Sequence, residues 1–332
     1  MTTTVLVSGA TGFIAQHTIK LLLSKGYAVV GTVRTAAKGD HLIKLFANEL
    51  FSYEIVPSLD AEGAFDDVLN KHSEITVFLH MASPVTFSAD DIEAELLRPA
   101  VNGTVSALKA IQKYGPQIKH VVITSSYCAM VHPAQWQDPD LVVSEDSWSS
   151  ISWEESKENA LFGYFGSKKF AEKAAWSFYE QEKPKYTLNM VNPVFVFGPQ
   201  AFDSEIKDQL NHSVEVVNKL LSLEKGSEIP SDKGSFVDVR DVAKAHLAAF
   251  ENGWTGKRLL MNSEDFSSPS LLAIFRESFD YLKESLPTAA VEPIEIAKVD
   301  NKKTRQDLGF SFLDLKTSIV DCVGQILNAK RK

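Results

Sequence analysis

The chain has 332 residues, of which 44% are hydrophobic and 23% charged, and this excludes a disordered, collagen-like or low-complexity protein. Its 34 Lys and Arg against 43 Asp and Glu give a net charge of −9, which argues against nucleic acid as the main partner. Two cysteines, Cys128 and Cys322, exclude a disulfide framework and a Cys-rich metal site. No apolar run reaches the ~18 residues of a membrane span. Since Met1–Ser8 lacks the features of a signal segment, we expect a cytoplasmic protein.

The first part of the chain alternates short β-rich runs with helical patterns, which is typical of a parallel sheet. The predicted strands are Val5–Val7, Ala28–Val33, Tyr53–Val56, Thr76–Leu79, His120–Thr124 and Thr187–Val191. The helices predicted between them are Phe13–Ser24, His41–Asn48, Ala64–Lys71, Asp91–Lys113 and Phe165–Gln181. Strands separated by helices, with right-handed crossovers, predict an α/β fold with a doubly wound parallel sheet.

The pattern becomes less regular after Asn192, where prolines interrupt the chain. A helix is predicted over Glu205–Leu223, and regular structure returns at Asp238–Phe250 and Arg258–Met261. We therefore expect one domain over residues 1–192 with a return segment near 236–262. Residues 193–235 and 263–332 are expected to form most of a smaller C-terminal lobe over the open edge of the sheet.

A glycine-containing loop lies between the first predicted strand and the first predicted helix, with the sequence Gly9-Ala10-Thr11-Gly12-Phe13-Ile14-Ala15. Backbone N–H groups at a helix N-terminus are unsatisfied, and the helix dipole favours an anion there. Gly9 allows the tight turn, Gly12 lets a pyrophosphate approach the backbone, and Ala15 stands where the dinucleotide pattern has its third glycine. The loop predicts a dinucleotide site, and the alternative is an ordinary strand-to-helix turn.

The end of the second predicted strand distinguishes between the two nicotinamide dinucleotides. An NAD site usually has Asp or Glu there to bind the ribose hydroxyls. This chain has Arg34 instead, with Lys38 one helical turn later. Because charge-assisted bonds to phosphate are strong, the two cations favour the 2′-phosphate of NADPH. The alternative is that both are plain surface charges, with Asp40 near enough to pair with either.

Three residues form a candidate proton-transfer group. Tyr164 and Lys168 are spaced i and i+4 near the start of a predicted helix, so they lie on one helix face. A free tyrosine has a pKa near 10, and a nearby ammonium is expected to lower that pKa toward the working range. Ser126 follows the fifth predicted strand, at the sheet edge where ligands bind, and is placed to donate a hydrogen bond to a substrate oxygen.

Longer motifs surround these residues, namely Val7–His17, Thr124–Tyr127, Tyr164–Lys173, Asn192–Pro199 and Asp238–His246. Over nearly its whole length the chain resembles the extended short-chain dehydrogenase/reductases. More narrowly, it is similar to the fungal NADPH-dependent aldehyde and methylglyoxal reductases, which are related to the plant dihydroflavonol reductases. The resemblance implies a Rossmann-type fold with a substrate lobe and an NADPH-dependent carbonyl reductase. It also implies a monomer or homodimer that acts on a small-molecule carbonyl compound, without a nucleic acid or membrane partner.

The resemblance also assigns roles to individual residues. Tyr164 is implied to protonate the carbonyl oxygen, Lys168 to hold the nicotinamide ribose, and Ser126 to polarise the same oxygen. The cofactor-binding positions are Gly9, Thr11, Gly12, Phe13, Ile14, Arg34, Lys38, Leu59, Ala82, Ser83, Tyr164, Lys168, Pro193 and Val194. Relatives usually carry an Asp before the residue equivalent to Leu59, near the adenine. This chain has Ser58 there, with Asp60 displaced by two positions, so the adenine contact is left open.

The substrate pocket is expected beside the matched motifs, and its predicted residues are Val85, Tyr127, Val131, Phe162 and Phe195. These side chains are mostly apolar, which favours a hydrophobic aldehyde or ketone over a nucleotide sugar; the alternative for each is core packing. Trp136, Trp148 and Trp153 flank a loop that is either a lid or a plain surface loop. Cys128 is interpreted as buried packing, and the histidines show no metal-ligand spacing.

Two alternatives to the carbonyl reductase stay open. One is a sugar-nucleotide epimerase or sterol dehydrogenase of the same fold, which Arg34 and Lys38 disfavour because those enzymes favour NAD. The other is a regulator that binds NADPH without turnover. Regulators of that kind commonly lose the tyrosine, whereas Tyr164 and Lys168 are both present.

Overall fold

A computed structural model of the chain describes residues 3–83 and 89–330. The strands are β1 (Thr4–Ser8), β2 (Ala28–Val33), β3 (Phe51–Ile55), β4 (Ile75–His80), β5 (His120–Thr124), β6 (Val142–Ser144), β7 (Thr187–Pro193), β8 (Phe195–Phe197), β9 (Lys233–Asp238), β10 (Arg258–Met261), β11 (Glu264–Ser267) and β12 (Lys298–Asp300). The α-helices are α1 (Phe13–Ser24), α2 (Ala36–Phe46), α3 (Asp66–Lys71), α4 (Arg98–Tyr114), α5 (Ala160–Glu182), α6 (His212–Leu220), α7 (Val239–Glu251), α8 (Ser268–Ser278), α9 (Lys302–Leu308) and α10 (Leu315–Lys330).

The central sheet has seven parallel strands in the order β3-β2-β1-β4-β5-β7-β10. The chain winds outward from β1 in one direction to β3 and in the other to β10. The direction of winding reverses between β1 and β4, and the crevice outside the strand ends at such a point is where ligands bind. The predicted doubly wound parallel sheet is therefore confirmed, and the return segment supplies its seventh strand.

The strands of this sheet bury both of their faces, which explains their nearly continuous apolar sequences. In β1, Val5 and Val7 contact the core beneath α1, α2 and α7. Leu6 points to the opposite core, beneath α3, α4 and α5. Residues after β7 build a separate apolar cluster from α6, α8, α10 and the small sheet β8-β9-β11. The division of the chain into domains near residue 192 stays a prediction.

Several helix boundaries differ from the predicted ones. Helix α4 begins at Arg98, after a π-helical turn over Glu93–Leu97, rather than at Asp91. Helix α2 begins earlier, at Ala36, and α5 begins at Ala160 because the side chain of Asn159 accepts a hydrogen bond from the Phe162 N–H at 3.0 Å. This cap places Tyr164 and Lys168 within the first turns of α5. Helix α6 covers only part of the predicted Glu205–Leu223 span, since Glu205 instead ends a short 3₁₀ turn and bonds Gln16 on α1. Among the helices described, none has the length and apolarity to span a lipid bilayer.

Candidate active site

The loop between β1 and α1 presents backbone donors at the start of the helix. Gly9 has a φ of +68°, a conformation that favours glycine, and a Cβ added there would lie 2.9 Å from the Cβ of Ala82. Gly12 is the N-cap of α1 and has no side-chain capping bond, and both Thr11 and Gly12 are exposed. Because the first N–H groups of a helix favour an anion, the loop fits a dinucleotide pyrophosphate, with Phe13 in the first turn.

The tip of β2 carries the two cations that the sequence assigns to the 2′-phosphate. Arg34 and Lys38 are both exposed, and within residues 3–83 and 89–330 neither takes part in an ion pair. Asp40, the neighbour that could have neutralised them, instead accepts a hydrogen bond from the Tyr53 hydroxyl at 2.8 Å. The positive charge at this strand tip is therefore available, which fits a phosphate group better than ribose hydroxyls.

The adenine side of the site contains the departure noted in the sequence. The hydroxyl of Ser58 donates a short hydrogen bond to the carboxylate of Asp60. The Asp60 carboxylate therefore lies beside the Ser58 hydroxyl, so both polar groups are present at this point of the chain. Leu59 lies close to Gly103 on α4, where an added Cβ would be 3.4 Å from the Cβ of Leu59.

The segment after β4 is held by a buried serine that the sequence interpretation missed. Ser8, at the end of β1, accepts hydrogen bonds from the backbone N–H groups of Met81 and Ala82, each at 3.0 Å. Its hydroxyl lies 3.0 Å from Nδ1 of His80, and burial lowers the pKa of His80 to about 4. The neutral imidazole accepts a hydrogen bond from the Ser8 hydroxyl. Ser8 thereby holds Ala82 beside Gly9, one residue before Ser83. A β-strand serine gives no local signal of this role.

Ser126, Tyr164 and Lys168 are brought together at the carboxyl end of β5. A hydrogen bond joins Ser126 to the Tyr164 phenol, and the Lys168 Nζ lies 5.7 Å from the Tyr164 ring centroid. Ser126 also accepts from the backbone N–H of Cys128 at 3.1 Å, which fixes the serine side chain. Lys168 is buried. The three side chains predicted to act together therefore share one small region between β5 and α5.

The acid–base properties of this group differ from the expectation. Burial, with a smaller contribution from the Cys128 thiol, raises the pKa of Tyr164 above its usual range, while the hydrogen bond from Ser126 lowers it. Burial lowers the pKa of Lys168 to about 8. The lowered Tyr164 pKa that the sequence analysis expects is not present, because desolvation of the phenolate dominates. A high pKa keeps the phenol protonated, as a proton donor requires.

A cavity of about 170 Å³ opens beside these side chains and is lined mostly by apolar residues. Its lining consists of Ser126, Tyr127, Cys128, Trp136, Leu161, Tyr164, Phe165, Pro193, Val194, Phe195, His212, Ser213, Gly234, Ser235 and Ile296. Tyr164 and Ser126 thus face the same space as Pro193 and Val194, two of the predicted cofactor-binding positions. Such a space, apolar with a few convergent polar groups, is typical of a small-molecule site.

The predicted substrate residues do not all lie in the same place. Tyr127 and Phe195 line the cavity. Val131 is 2% exposed and belongs to the apolar cluster behind the cavity. Phe162 packs on the same cluster and contacts His132, with ring centroids 5.8 Å apart. Packing explains Val131 and Phe162, and Val85 lies outside the described residues.

The far wall of the cavity was not predicted from the sequence. His212 and Ser213 begin α6, Gly234 and Ser235 belong to β9, and Ile296 precedes β12. None of these residues lies in a matched motif. Tertiary contacts bring them to Tyr164: α6 packs on β8, β9 pairs with β8, and β12 pairs with β6. No local pattern therefore identifies them.

The three tryptophans of the intervening loop have different surroundings. Trp136 lines the cavity, whereas Trp148 stacks on the guanidinium of Arg258, which lies 4.0 Å from its ring centroid. Trp153 contacts Phe170, with ring centroids 5.0 Å apart. Trp136 alone is therefore in a position to contact a molecule in the cavity, and the other two hold the loop on the domain.

The thiol of Cys128 and the possibility of a metal site were the remaining questions in this region. Burial raises the pKa of the Cys128 thiol to about 11, so it stays a neutral thiol. Across residues 3–83 and 89–330, no group of three His, Cys, Asp or Glu side chains is arranged to hold a metal ion.

A dinucleotide-binding sheet with a Ser, Tyr and Lys group at its switch-point edge defines a nicotinamide-dependent oxidoreductase of the short-chain type. Residues 5–261 match the NAD dependent epimerase/dehydratase family, and the chain belongs to that family. The resemblance stated from the sequence motifs is thereby confirmed.

Two curated relatives match the chain over almost its full length. The putative NADPH-dependent methylglyoxal reductase of Candida albicans is 52% identical, with 98% of each chain covered. The NADPH-dependent methylglyoxal reductase of Saccharomyces cerevisiae is 44% identical over 97% of this chain and 98% of its own. The crystal structure of yeast methylglyoxal/isovaleraldehyde reductase complexed with NADPH has a TM-score of 0.96 and 43% identity, covering 99% of both chains.

Proposed function

We propose that this chain is an NADPH-dependent carbonyl reductase that converts aldehydes, ketones or 2-oxoaldehydes to alcohols, with Tyr164 as proton donor. The observation that carries the proposal is the shared placement of Tyr164, Ser126 and the Pro193–Val194 pair around one apolar cavity. The names of the relatives support the activity and the cofactor, and the predictions of an oxidoreductase and of NADPH are confirmed by them. The roles of individual residues are proposed from their positions.

The chain's own residues suit this reaction. NADPH, when bound, supplies the hydride. Ser126 and Tyr164 face the cavity and are joined to each other, so both can bond a carbonyl oxygen placed there. Because negative charge develops on that oxygen during reduction, two hydroxyl donors stabilise the transition state more than the ground state. Tyr164 then delivers its phenolic proton to the oxygen.

Lys168 and the cations at the β2 tip are proposed to hold the cofactor. Lys168 is buried on the same helix face as Tyr164, where its ammonium can donate to ribose hydroxyls. Arg34 and Lys38 carry free positive charge for the 2′-phosphate. The apolar lining disfavours a sugar nucleotide, so we propose small hydrophobic carbonyl compounds as substrates. The oligomeric state, monomer or homodimer, stays a prediction. The cytoplasmic location also stays a prediction, and it is supported by the free thiols of Cys128 and Cys322.

The test is Tyr164→Phe, assayed by loss of reduced-nicotinamide absorbance with NADPH and NADH in parallel. We expect kcat with methylglyoxal or 3-methylbutanal to fall by about 10²–10⁴-fold, the usual contribution of a general acid, while the Kd for NADPH stays within about twofold because the phenylalanine ring preserves the packing.

Tyr179→Phe is the matched control, because Tyr179 lies on the same helix but its hydroxyl bonds the Tyr186 carbonyl, at 3.0 Å. Wild-type kcat in Tyr164→Phe would refute the proton-donor role. If the wild-type protein binds NADPH tightly but turns over no aldehyde, ketone or 2-oxoaldehyde, the alternative of a regulator that binds NADPH without turnover is favoured.

A further inference from the structure

A buried carboxylate lies beneath the candidate active site. Glu172 follows Tyr164 by eight residues and Lys168 by four on α5, so all three lie on one helix face. Glu172 is only 2% exposed. An ionised group in such a place is costly unless it is paired and fully hydrogen-bonded. Neither the predicted site residues nor the proposed mechanism uses this group.

Four donors satisfy the carboxylate: Trp176 on α5 itself, and three side chains at or next to β5, β7 and β10. One oxygen, Oε2, accepts from the Ser125 hydroxyl at 2.5 Å and from Nδ2 of Asn192 at 2.7 Å. The other, Oε1, accepts from Nε of Arg258 at 2.6 Å and from Nε1 of Trp176 at 3.3 Å. The Arg258 guanidinium supplies the compensating positive charge, and its side chain is 9% exposed. Glu172 therefore connects the helix that carries Tyr164 to β5, β7 and β10.

Two of these donors directly precede residues of the site. Ser125 is followed by Ser126, and Asn192 is followed by Pro193. Nδ2 of Asn192 also donates to the backbone carbonyl of Ser126 at 3.2 Å. The backbone of Ser126 is thus held from both sides, through its own carbonyl and through the preceding side chain. The Glu172 carboxylate therefore bonds both side chains that hold the Ser126 backbone, those of Ser125 and Asn192.

We propose that Glu172 is a positioning residue that fixes the distance between the Ser126 and Tyr164 hydroxyls, a role that rests on the proposed function of those two residues. A carboxylate suits this task because it accepts bonds from four donors with both oxygens at once. A glutamine in its place would offer an amide NH₂ toward Arg258 or toward Ser125 and Asn192. The hydrogen bonds to the donors that face the NH₂ group would then be lost, and the strand ends that they hold would be free to move.

The experiment is a double-mutant cycle of Glu172→Gln with Ser126→Ala. We expect Glu172→Gln alone to lower kcat by about 10–100-fold, because small misplacements at a reacting centre have effects of this size. The Kd for NADPH should stay within about twofold, since the residues proposed to bind its phosphates follow β1 and β2. In the Ser126→Ala background the same substitution should change kcat by less than about threefold, because the group it positions is absent.

Asp241→Asn is the matched control, since Asp241 is a fully buried carboxylate on α7 that bonds Lys244 and the Leu313 N–H. It should lower Tm while leaving kcat unchanged. Equal effects of Glu172→Gln in both backgrounds, or a lowered Tm with unchanged kcat, would overturn the positioning role. If Glu172→Gln does not fold, Ser125→Ala replaces it in the same cycle.

The same cycle separates the two proposals. Wild-type kcat in Ser126→Ala alone refutes the role of Ser126 and, with it, its positioning by Glu172. A low kcat in Ser126→Ala combined with additive effects of Glu172→Gln leaves the proposed function intact and refutes the positioning role only.

Discussion

The two sides of the candidate site are built in different ways. The cofactor side, defined here as the Gly9–Ala15 loop with Arg34 and Lys38, comes from two strand ends within the first part of the chain. It relies on backbone N–H groups and exposed cations. The substrate side, defined as the residues that line the cavity, comes from segments between Ser126 and Ile296. Backbone donors keep their positions when side chains are substituted, whereas the shape of a cavity depends on the side chains that line it. Cofactor binding is therefore easier to predict from a related sequence than substrate preference.

A single substitution should have a larger effect on the cofactor side than on the substrate side. We expect Arg34→Ala to raise the Kd for NADPH by about tenfold to a hundredfold, the value of one charge-assisted bond to phosphate. The Kd for NADH, which lacks the 2′-phosphate, should not change. Lys44→Ala is the control, because Lys44 is an exposed cation on α2, the helix that follows Arg34. Equal weakening of both nucleotides in a fluorescence titration would show that Arg34 does not recognise the 2′-phosphate.

Lys168, which belongs to the proton-transfer group between the two sides, should make the rate of NADPH use depend on pH. Because burial lowers the pKa of Lys168 to about 8, its ammonium is charged below that pH and neutral above it. We expect kcat/KM for NADPH to be level below pH 8 and to fall about tenfold per unit above it. Lys168→Arg, which stays protonated, should lack this decline, and a level wild-type profile up to pH 10 would contradict the assignment.

Loss of folding should not produce that decline. An exposed lysine in the unfolded chain has a pKa of about 10.4, so between pH 8 and that value the unfolded state binds more protons than the native state. The contribution of Lys168 to stability therefore rises with pH across this window. A Tm measured over the same range checks that the protein stays folded while kcat/KM decreases.

The substrate side should show the smallest and most selective effect. Trp136→Ala removes an apolar side chain from the cavity wall. We expect kcat/KM for 3-methylbutanal to fall by about tenfold and that for methylglyoxal by about twofold, since the branched aldehyde has more apolar surface to lose. Trp153→Ala, which alters a tryptophan packed on Phe170 outside the cavity, should leave both values unchanged. Equal losses on the two substrates would place Trp136 outside the substrate contact.

Much of the fold follows from local patterns. All six predicted strands of the central sheet are present, because a parallel strand buried on both faces has a short apolar run that is visible in the sequence. The helix ends are less accurate: Asn159 caps α5 before the predicted start, and Glu205 is used in a tertiary contact rather than in a helix. Helix caps and long-range hydrogen bonds depend on individual partner residues, which the spacing of apolar residues does not reveal.

Short spacings in the sequence are enough to predict the glycine loop after β1, the cations after β2 and the pairing of Tyr164 with Lys168. Each of these depends on spacings of a few residues, which the geometry of a turn or a helix converts directly into positions. The far wall of the cavity, the pKa shifts of Tyr164 and Lys168, and the donors around Glu172 become visible only in the folded chain. Desolvation and contacts between distant segments control these properties, and both exist only after the chain has packed.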